Sequence, residues 1–293
     1  MYHLEQEAIY ILWKAASFKR PYLLFSGGKD SIVMVHLAKK AFFPEPMPFK
    51  LLHIDTGPNF QEALIFRDKM ANDFKLQLEV RYVEDTIQRQ KLEIPMGKFP
   101  SRNILQTYTL KEAIEGLQID CCIGGGRRDE EKSRAKERIF SIRTKEGGWN
   151  PYTQQPEPWD DYNTLLLPNH QMRVFPLSNF TEIDIWRYIQ REKIELPSIY
   201  FAHERSVISY QNKWVALSPY ITLEDNDIVE QRRVRYRTVG DMTCTAAILS
   251  DATSVEDIIK EIKATNISER GATRMDDQIS DTAMEDRKKT GYF

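Results

Sequence analysis

Residues 22–37 read YLLFSGGKDSIVMVHL, and the rest of the chain can be organised around them. Tyr22-Leu23-Leu24-Phe25 is a short apolar run that stops at turn residues, the pattern of a buried strand. Ser26-Gly27-Gly28-Lys29-Asp30-Ser31 follows, and Ile32, Val33, Val35 and Leu37 then recur at helical spacing. A strand, a glycine turn and a helix leave unpaired backbone N–H groups at the helix N-terminus, above the strand end. The two glycines let backbone approach a ligand without Cβ atoms in the way, and Lys29 adds a full positive charge. The guest suited to that combination is a polyphosphate. The common P-loop is excluded: it places four residues between its first glycine and Gly-Lys and continues with Ser or Thr, whereas here Gly27-Gly28-Lys29 is contiguous and Asp30 follows.

Composition narrows the class. The 293 residues can bury a substantial core in one large or two modest domains. Hydrophobic residues at 41% and charged residues at 29% describe an ordinary water-soluble chain. A formal net charge of −2 gives no reason to expect nucleic acid. Three cysteines, two of them adjacent, make neither a disulfide framework nor a four-thiolate cluster, so no Fe–S cluster is expected. No apolar run is long enough to cross a membrane. Glu5 and Glu7 stand where a signal peptide would be basic. A cytoplasmic location is expected.

Before the glycine turn, Leu4, Ala8, Ile11, Leu12 and Ala15 mark one face of a packing helix. After it, Lys50-Leu51-Leu52-His53-Ile54 reads as a second strand ending in Asp55-Thr56-Gly57-Pro58-Asn59. Asp55 at that carboxyl end either contacts a nucleoside or caps the next helix. His53 reads as a core or near-core histidine rather than a catalyst. A helix is expected from Pro58 to Phe74 and a third strand over Leu78–Val83. Glu84–Ser101 has no clear period and reads as a loop over the strand ends. Helical spacing resumes over Asn103–Gly116.

The second informative stretch is IDCCIGGGRRDEEKSRAKERIFSIR, residues 119–143. Ile119–Ile123 is a fourth buried strand, with Cys121 and Cys122 as small core residues. Gly124-Gly125-Gly126 turns the chain, and Arg127-Arg128-Asp129 lead into an expected helix whose apolar side is Ala135, Ile139 and Ile142. Two arginines at a helix N-terminus oppose its dipole and call for an anion, which guanidinium can grip with two hydrogen bonds. Glu130 and Arg134, four apart, could pair on a solvated face. Repeated strand–helix units predict a parallel twisted sheet of about five strands with helices on both faces, the fifth strand lying over Met172–Phe175. Such sheets bind ligands beyond their carboxyl ends, where strand order reverses. If the first and fourth strands are neighbours, the phosphate loop and the arginines face one crevice.

Further on, Thr181 with Asp184 and Ser254 with Asp257 are capping boxes. Leu196–Met242 suggests a small β-rich extension. Arg233, Arg235 and Arg237 alternate as on an exposed strand face, and with Arg232 they could instead serve an anion site or a partner surface. The division expected is a nucleotide-binding α/β domain over 1–193 and a C-terminal extension and tail over 194–293, packed on the same domain or on a partner.

The hexad SGGKDS resembles the PP-loop of the ATP pyrophosphatase superfamily. Together with HIDTGPNF, GGGRRDEEKSRAKERIFSIR, RVFPLSNFTEIDIW, VRYRTVGDMTCT and the tail ERGATR…AMEDRKKTGYF, it is similar to the small-subunit family of bacterial sulfate adenylyltransferase, over nearly the whole chain. The resemblance implies an adenine nucleotide alpha hydrolase-like fold. It also implies the reaction of ATP and sulfate to adenylyl sulfate and pyrophosphate, with Mg²⁺, driven by GTP hydrolysis in a GTPase large subunit. On that basis Lys29, Arg127 and Arg128 are the candidate catalytic residues. Phe25, Ser26, Gly27, Gly28, Lys29, Asp30, Ser31, His53, Ile54, Asp55, Gly124 and Gly125 are the candidate nucleotide contacts, and no protein metal ligand is assigned. The tail from Ser268 is expected to order against the nucleotide site or the partner. Two alternatives accompany this reading: a sulfonucleotide reductase, which would need a cysteine near the C-terminus where none follows Cys244, and a non-catalytic nucleotide-binding regulatory subunit.

Overall fold

The structure is a computed structural model that describes residues 1–130, 132–144 and 147–265, together with Glu269, Thr273 and Met275. Most of the expected ordered tail therefore lies outside the described residues. In chain order the first half runs α1 (Tyr2–Ala15), β1 (Pro21–Leu24), α2 (Lys29–Phe42), β2 (Lys50–Asp55), α3 (Gln61–Asp73), β3 (Leu78–Tyr82), α4 (Val83–Gln90), α5 (Asn103–Gly116) and β4 (Cys121–Ile123). β5 (Phe140–Arg143), β6 (Gln171–Val174) and α6 (Glu182–Glu192) follow, then β7 (His203–Tyr210), β8 (Lys213–Ala216), β9 (Val229–Arg235), β10 (Ala246–Leu249) and α7 (Val255–Ala264).

The main sheet has the order β3-β2-β1-β4-β6-β5. Its first five strands in that order are parallel, and β5 runs antiparallel on the edge beside β6. Alternate residues feed the two faces, as strand pleating requires. Leu23, Leu51, Cys121, Ile123, Met172 and Val174 join the core with α1, α2 and α6, while Tyr22, Leu52 and Cys122 pack with Leu110, Ala113 and Ile114 of α5. β1 pairs with β2 on one side and β4 on the other, so the chain leaves β1 in one direction and returns to its opposite edge later. That is the topological switch point at which a crevice opens beyond the carboxyl ends.

Strands β7 to β10 close into a small barrel in the order β10-β8-β7-β9, the β-rich extension expected after α6. Both capping boxes form: Thr181 and Asp184 open α6, and Ser254 and Asp257 open α7.

Three expectations are corrected. The stretch after Arg127 is not a helix but a turn, a short 3₁₀ segment over Lys132–Lys136 and the edge strand β5, which joins the five parallel strands as a sixth. Ala135, Ile139 and Ile142 mimic helical spacing, whereas Phe140-Ser141-Ile142-Arg143 alternates over too few residues to stand out. Tertiary hydrogen bonds decide the outcome, from Arg128 N–H to the Ser178 carbonyl (2.9 Å) and from Glu182 N–H to Asp129 Oδ2 (2.9 Å). The loop expected over Glu84–Ser101 begins with α4, which buries Val83 and Thr86. Finally, Arg235 and Arg237 are buried rather than on an exposed face, Arg235 on Glu261 (2.8 Å) and Arg237 on Glu182 (2.5 Å), while Arg232 and Arg233 are exposed.

Candidate active site

A cavity of 280 Å³ opens beyond the carboxyl ends of β1, β2 and β4. Ser26, Gly28, Lys29, Asp30 and Ser31 form one wall and Gly124, Gly125, Gly126 and Arg134 the next. Leu24, Leu52, Ile54 and Leu110 make an apolar floor, with Gln106 and Thr107 of α5 at its edge. Residues 238–241, which follow β9, close the remaining side.

The glycine turn takes the geometry its residues demand. Gly27 adopts a φ of +76°, and a Cβ there would lie 3.2 Å from the Ala63 carbonyl oxygen. Gly28 is the N-cap of α2 and supplies no side-chain cap. The first helical N–H groups are thus left for other partners: Lys29 N–H donates to the Tyr200 hydroxyl at 2.6 Å, and Ser31 Oγ folds back on the Gly28 carbonyl at 2.8 Å. From β4, Gly125 approaches so closely that a Cβ on it would lie 3.1 Å from Asp30 Cβ and 3.5 Å from the Ser31 nitrogen. The two glycine turns therefore touch, as adjacency of β1 and β4 requires.

Behind the turn lies a closed charge network. Lys29 Nζ contacts Asp30 (2.9 Å) and Glu269, and Arg127 contacts Asp30 (2.8 Å) and the same Glu269 carboxylate. Lys29, Arg127 and Glu269 are buried. Burial opposes charge on Lys29, but the carboxylates of Asp30 and Glu269 outweigh it and hold the ammonium above its ordinary range. Asp30 is held below the usual carboxylate range, because Arg127 and Lys29 outweigh the effect of burial. For Glu269 burial prevails and its carboxyl is raised.

The relatives of this chain can now be set beside that geometry. Residues 20–247 match the phosphoadenosine phosphosulfate reductase domain family. A Streptomyces lavendulae protein named sulfate adenylyltransferase subunit 2 is 53% identical over 292 residues, covering 99% of this chain and 91% of that protein.

The chain belongs to the sulfate adenylyltransferase subunit 2 family.

A second member, from Mycobacterium sp. (strain JLS), is 50% identical over 291 residues, with 99% of this chain and 93% of its own length covered. Among solved structures, a phosphoadenylyl-sulfate reductase from Candida auris aligns over 67% of this chain and 87% of its own at 14% identity and a TM-score of 0.45. The family is one of nucleotidyltransferases on the PP-loop α/β fold, in keeping with the expectation from SGGKDS.

Of the candidate residues named from sequence, Phe25, Ser26, Gly28, Lys29, Asp30, Ser31, His53, Ile54, Gly124 and Gly125 line this one cavity. His53 is buried, with Nδ1–H donating to the Phe25 carbonyl at 2.8 Å. Burial, helped by Arg67, pushes its pKa down to about 4, so the ring is neutral. Asp55 is not on the cavity wall: Oδ1 accepts from Gly57 N–H at 2.9 Å and closes the turn toward α3, while Thr56 and Asn59 line the cavity. Arg127 is sealed into the charge network. Arg128 is directed to Asn179 Oδ1 (2.6 Å) and the Glu137 carbonyl (3.3 Å), away from the lining. Sequence reasoning missed Tyr200, Asp241 and Glu269, which reach the site from far along the chain, and assigned Arg134 to a solvated helix face. The legible signals were the resemblance over VRYRTVGDMTCT, the stretch that supplies the wall at 238–241, and the resemblance over ERGATR in the tail, which begins with Glu269.

Proposed function

We propose that this chain is the adenylyl-transferring subunit of a sulfate adenylyltransferase: ATP and sulfate give adenylyl sulfate and pyrophosphate in the cavity beyond β1 and β4. The observation that carries the reading is the phosphate loop itself, a helix N-terminus that begins at Gly28 with Lys29 in its first turn, facing a cavity with an apolar floor. The names of its relatives support the choice of acceptor.

In this reading the loop from Ser26 to Ser31 and Lys29 hold the β- and γ-phosphates. Phe25, His53, Ile54, Gly124 and Gly125 surround the nucleoside and α-phosphate. A sulfate oxygen attacks the α-phosphorus, the bond to the bridging oxygen breaks, and its electron pair leaves with pyrophosphate. Sulfate is already ionised at neutral pH, so no general base is required. This suits a site whose buried histidine is neutral and hydrogen-bonded to backbone. The obstacle is bringing a dianion to a polyanion, which fixed positive charge and oriented N–H groups offset.

Mg²⁺ would supply further charge neutralisation on the phosphates. Asp30, Glu130 and Asp241 are carboxylates on the cavity wall. Among the described residues no three metal-ligating side chains cluster. That donor set suits an ion carried mainly by phosphate oxygens with one carboxylate in support. The word "subunit" in the relatives' name supports a partner chain, and we assign it as a GTPase whose hydrolysis drives the unfavourable adenylation. A redox reading has less support: all three cysteines are buried, and burial pushes the Cys121 and Cys122 thiols up, away from the reactive thiolate.

The test is sulfate-dependent pyrophosphate release from ATP and Mg²⁺ with the GTPase partner and GTP present. Wild type is active, and Lys29→Ala lowers turnover by about 100-fold or more. A wild type that makes no pyrophosphate with an active partner overturns the assignment.

A further inference from the structure

Arg127 and Arg128, the arginines that sequence pointed to, are both engaged by other groups, which leaves open what holds the acceptor. Among the described residues, Arg134 is the arginine on the cavity wall. It is 8% exposed and forms an i,i+4 ion pair with Glu130, at 3.6 Å from Nε, longer than a hydrogen bond. Nε has no hydrogen-bond partner among the described residues. Its tip lies against the third glycine of the β4 turn, where a Cβ on Gly126 would fall 2.1 Å from Nη1. Arg134 therefore packs on Gly126, the residue after the Gly125 that meets the start of α2.

Behind it are further buried arginines. Arg173 of β6 pairs in register with Cys122 on one side and Ser141 of β5 on the other, and Arg143 follows Ser141 by two residues. Both arginines thus project from the sheet face that carries Leu52 and Cys122, the face packed by α5. Arg143 gives one nitrogen to Glu137, while Nε and Nη1 have no hydrogen-bond partner among the described residues. Burial, together with Arg173 and Arg134, pulls its pKa down to about 10 against the opposing pull of Glu137. Arg143 thus keeps two buried guanidinium nitrogens without a hydrogen-bond partner among the described residues. Buried arginines in that condition want an oxyanion.

We propose that Arg134, backed by Arg143, is the binding site for the acceptor oxyanion, a tetrahedral dianion that only accepts hydrogen bonds. This rests on the sulfate adenylyltransferase reading above and names the acceptor subsite within it. The guanidinium tip supplies N–H donors at the carboxyl end of β4, next to the phosphate loop on β1, so an anion held there stands beside the nucleotide's phosphates. The charge of Arg143 lies one layer deeper and raises the local potential without touching the ligand. A side chain at Gly126 would take the place of the Arg134 tip and displace it.

The experiment is calorimetric binding of AMP and of adenylyl sulfate to the assembled complex. The two ligands carry the same overall charge at neutral pH and differ in the sulfate group. Wild type binds adenylyl sulfate more tightly than AMP. Arg134→Ala lowers adenylyl sulfate affinity by about 10- to 100-fold with AMP affinity unchanged, the loss expected for charge-assisted hydrogen bonds. Arg134→Lys recovers part of it. Gly126→Ala, which displaces the tip and keeps the charge, gives the same selective loss, so the test survives if Arg134→Ala does not fold. A preference retained in both Arg134→Lys and Gly126→Ala, or AMP and adenylyl sulfate weakened equally, overturns the subsite. A wild type with no preference for adenylyl sulfate overturns the underlying reaction instead.

Discussion

Single residues in this site owe their state to what surrounds them. His53 is the plainest case. Its ring is buried against the Phe25 carbonyl and its pKa falls to about 4 in the folded chain, below the ordinary histidine value. The unfolded chain then takes up a proton first as pH falls, so the stabilising effect of a neutral His53 is complete above about pH 6.5 and is lost on the way down to about pH 4. Over that window wild type should lose about 2–3 kcal/mol more than His53→Asn, which keeps a donor for the carbonyl and has no titratable group. Denaturant unfolding of both proteins at pH 7.0, 5.5 and 4.5 measures the difference, and parallel curves would show that His53 does not titrate as stated. His53 was placed at a strand end by its apolar neighbours. Its neutrality could not be read there, because it depends on Arg67 and on helices packed from elsewhere.

Among the elements, the β1 turn is built most tightly. Gly27 combines a left-handed backbone with an Ala63 carbonyl 3.2 Å from any added Cβ. Gly27→Ala should cost about 1–2 kcal/mol in stability from the backbone alone and should weaken ATP binding, because the carbonyl forces the turn to shift. Equilibrium unfolding and nucleotide titration on one preparation check both halves, and an alanine variant with unchanged stability contradicts the backbone argument. This turn was legible because glycine, strand and helix are contiguous. The matching turn after β4 was only half legible. Its glycines were clear, but the segment that follows takes its path from hydrogen bonds to Ser178 and Glu182 and from pairing with β6, all 28 or more residues distant.

At the scale of the whole molecule, the barrel is tied to the α/β sheet by buried charge as well as apolar packing. Arg237, just after β9, pairs with Glu182 at the start of α6, and both are buried. Removing the arginine leaves a carboxylate without its cation inside the protein, so Arg237→Ala should destabilise by about 3–5 kcal/mol. It should also loosen residues 238–241, which close the cavity. Thermal unfolding together with hydrogen exchange over that segment measures this, and a loss below 1 kcal/mol would mean the pair is not holding the two parts together. Described helices include none long and apolar enough to cross a membrane.

The sequence by itself determined the periodic and contiguous features: the strand–glycine–helix unit, the parallel sheet, the capped starts of α6 and α7, and the two glycine turns that wall the cavity. These rest on spacing and on the intrinsic preferences of glycine, β-branched and capping residues, which act locally. Only the tertiary structure decided which charges are spent and which are available. Arg127 is neutralised by Asp30 and Glu269 behind the turn, Arg128 is turned to Asn179, and Arg134 stands on the cavity wall beside Glu130. An arginine looks the same in sequence whether a carboxylate from 142 residues away reaches it or not, and burial then decides whether its charge is balanced within the fold or directed at a ligand.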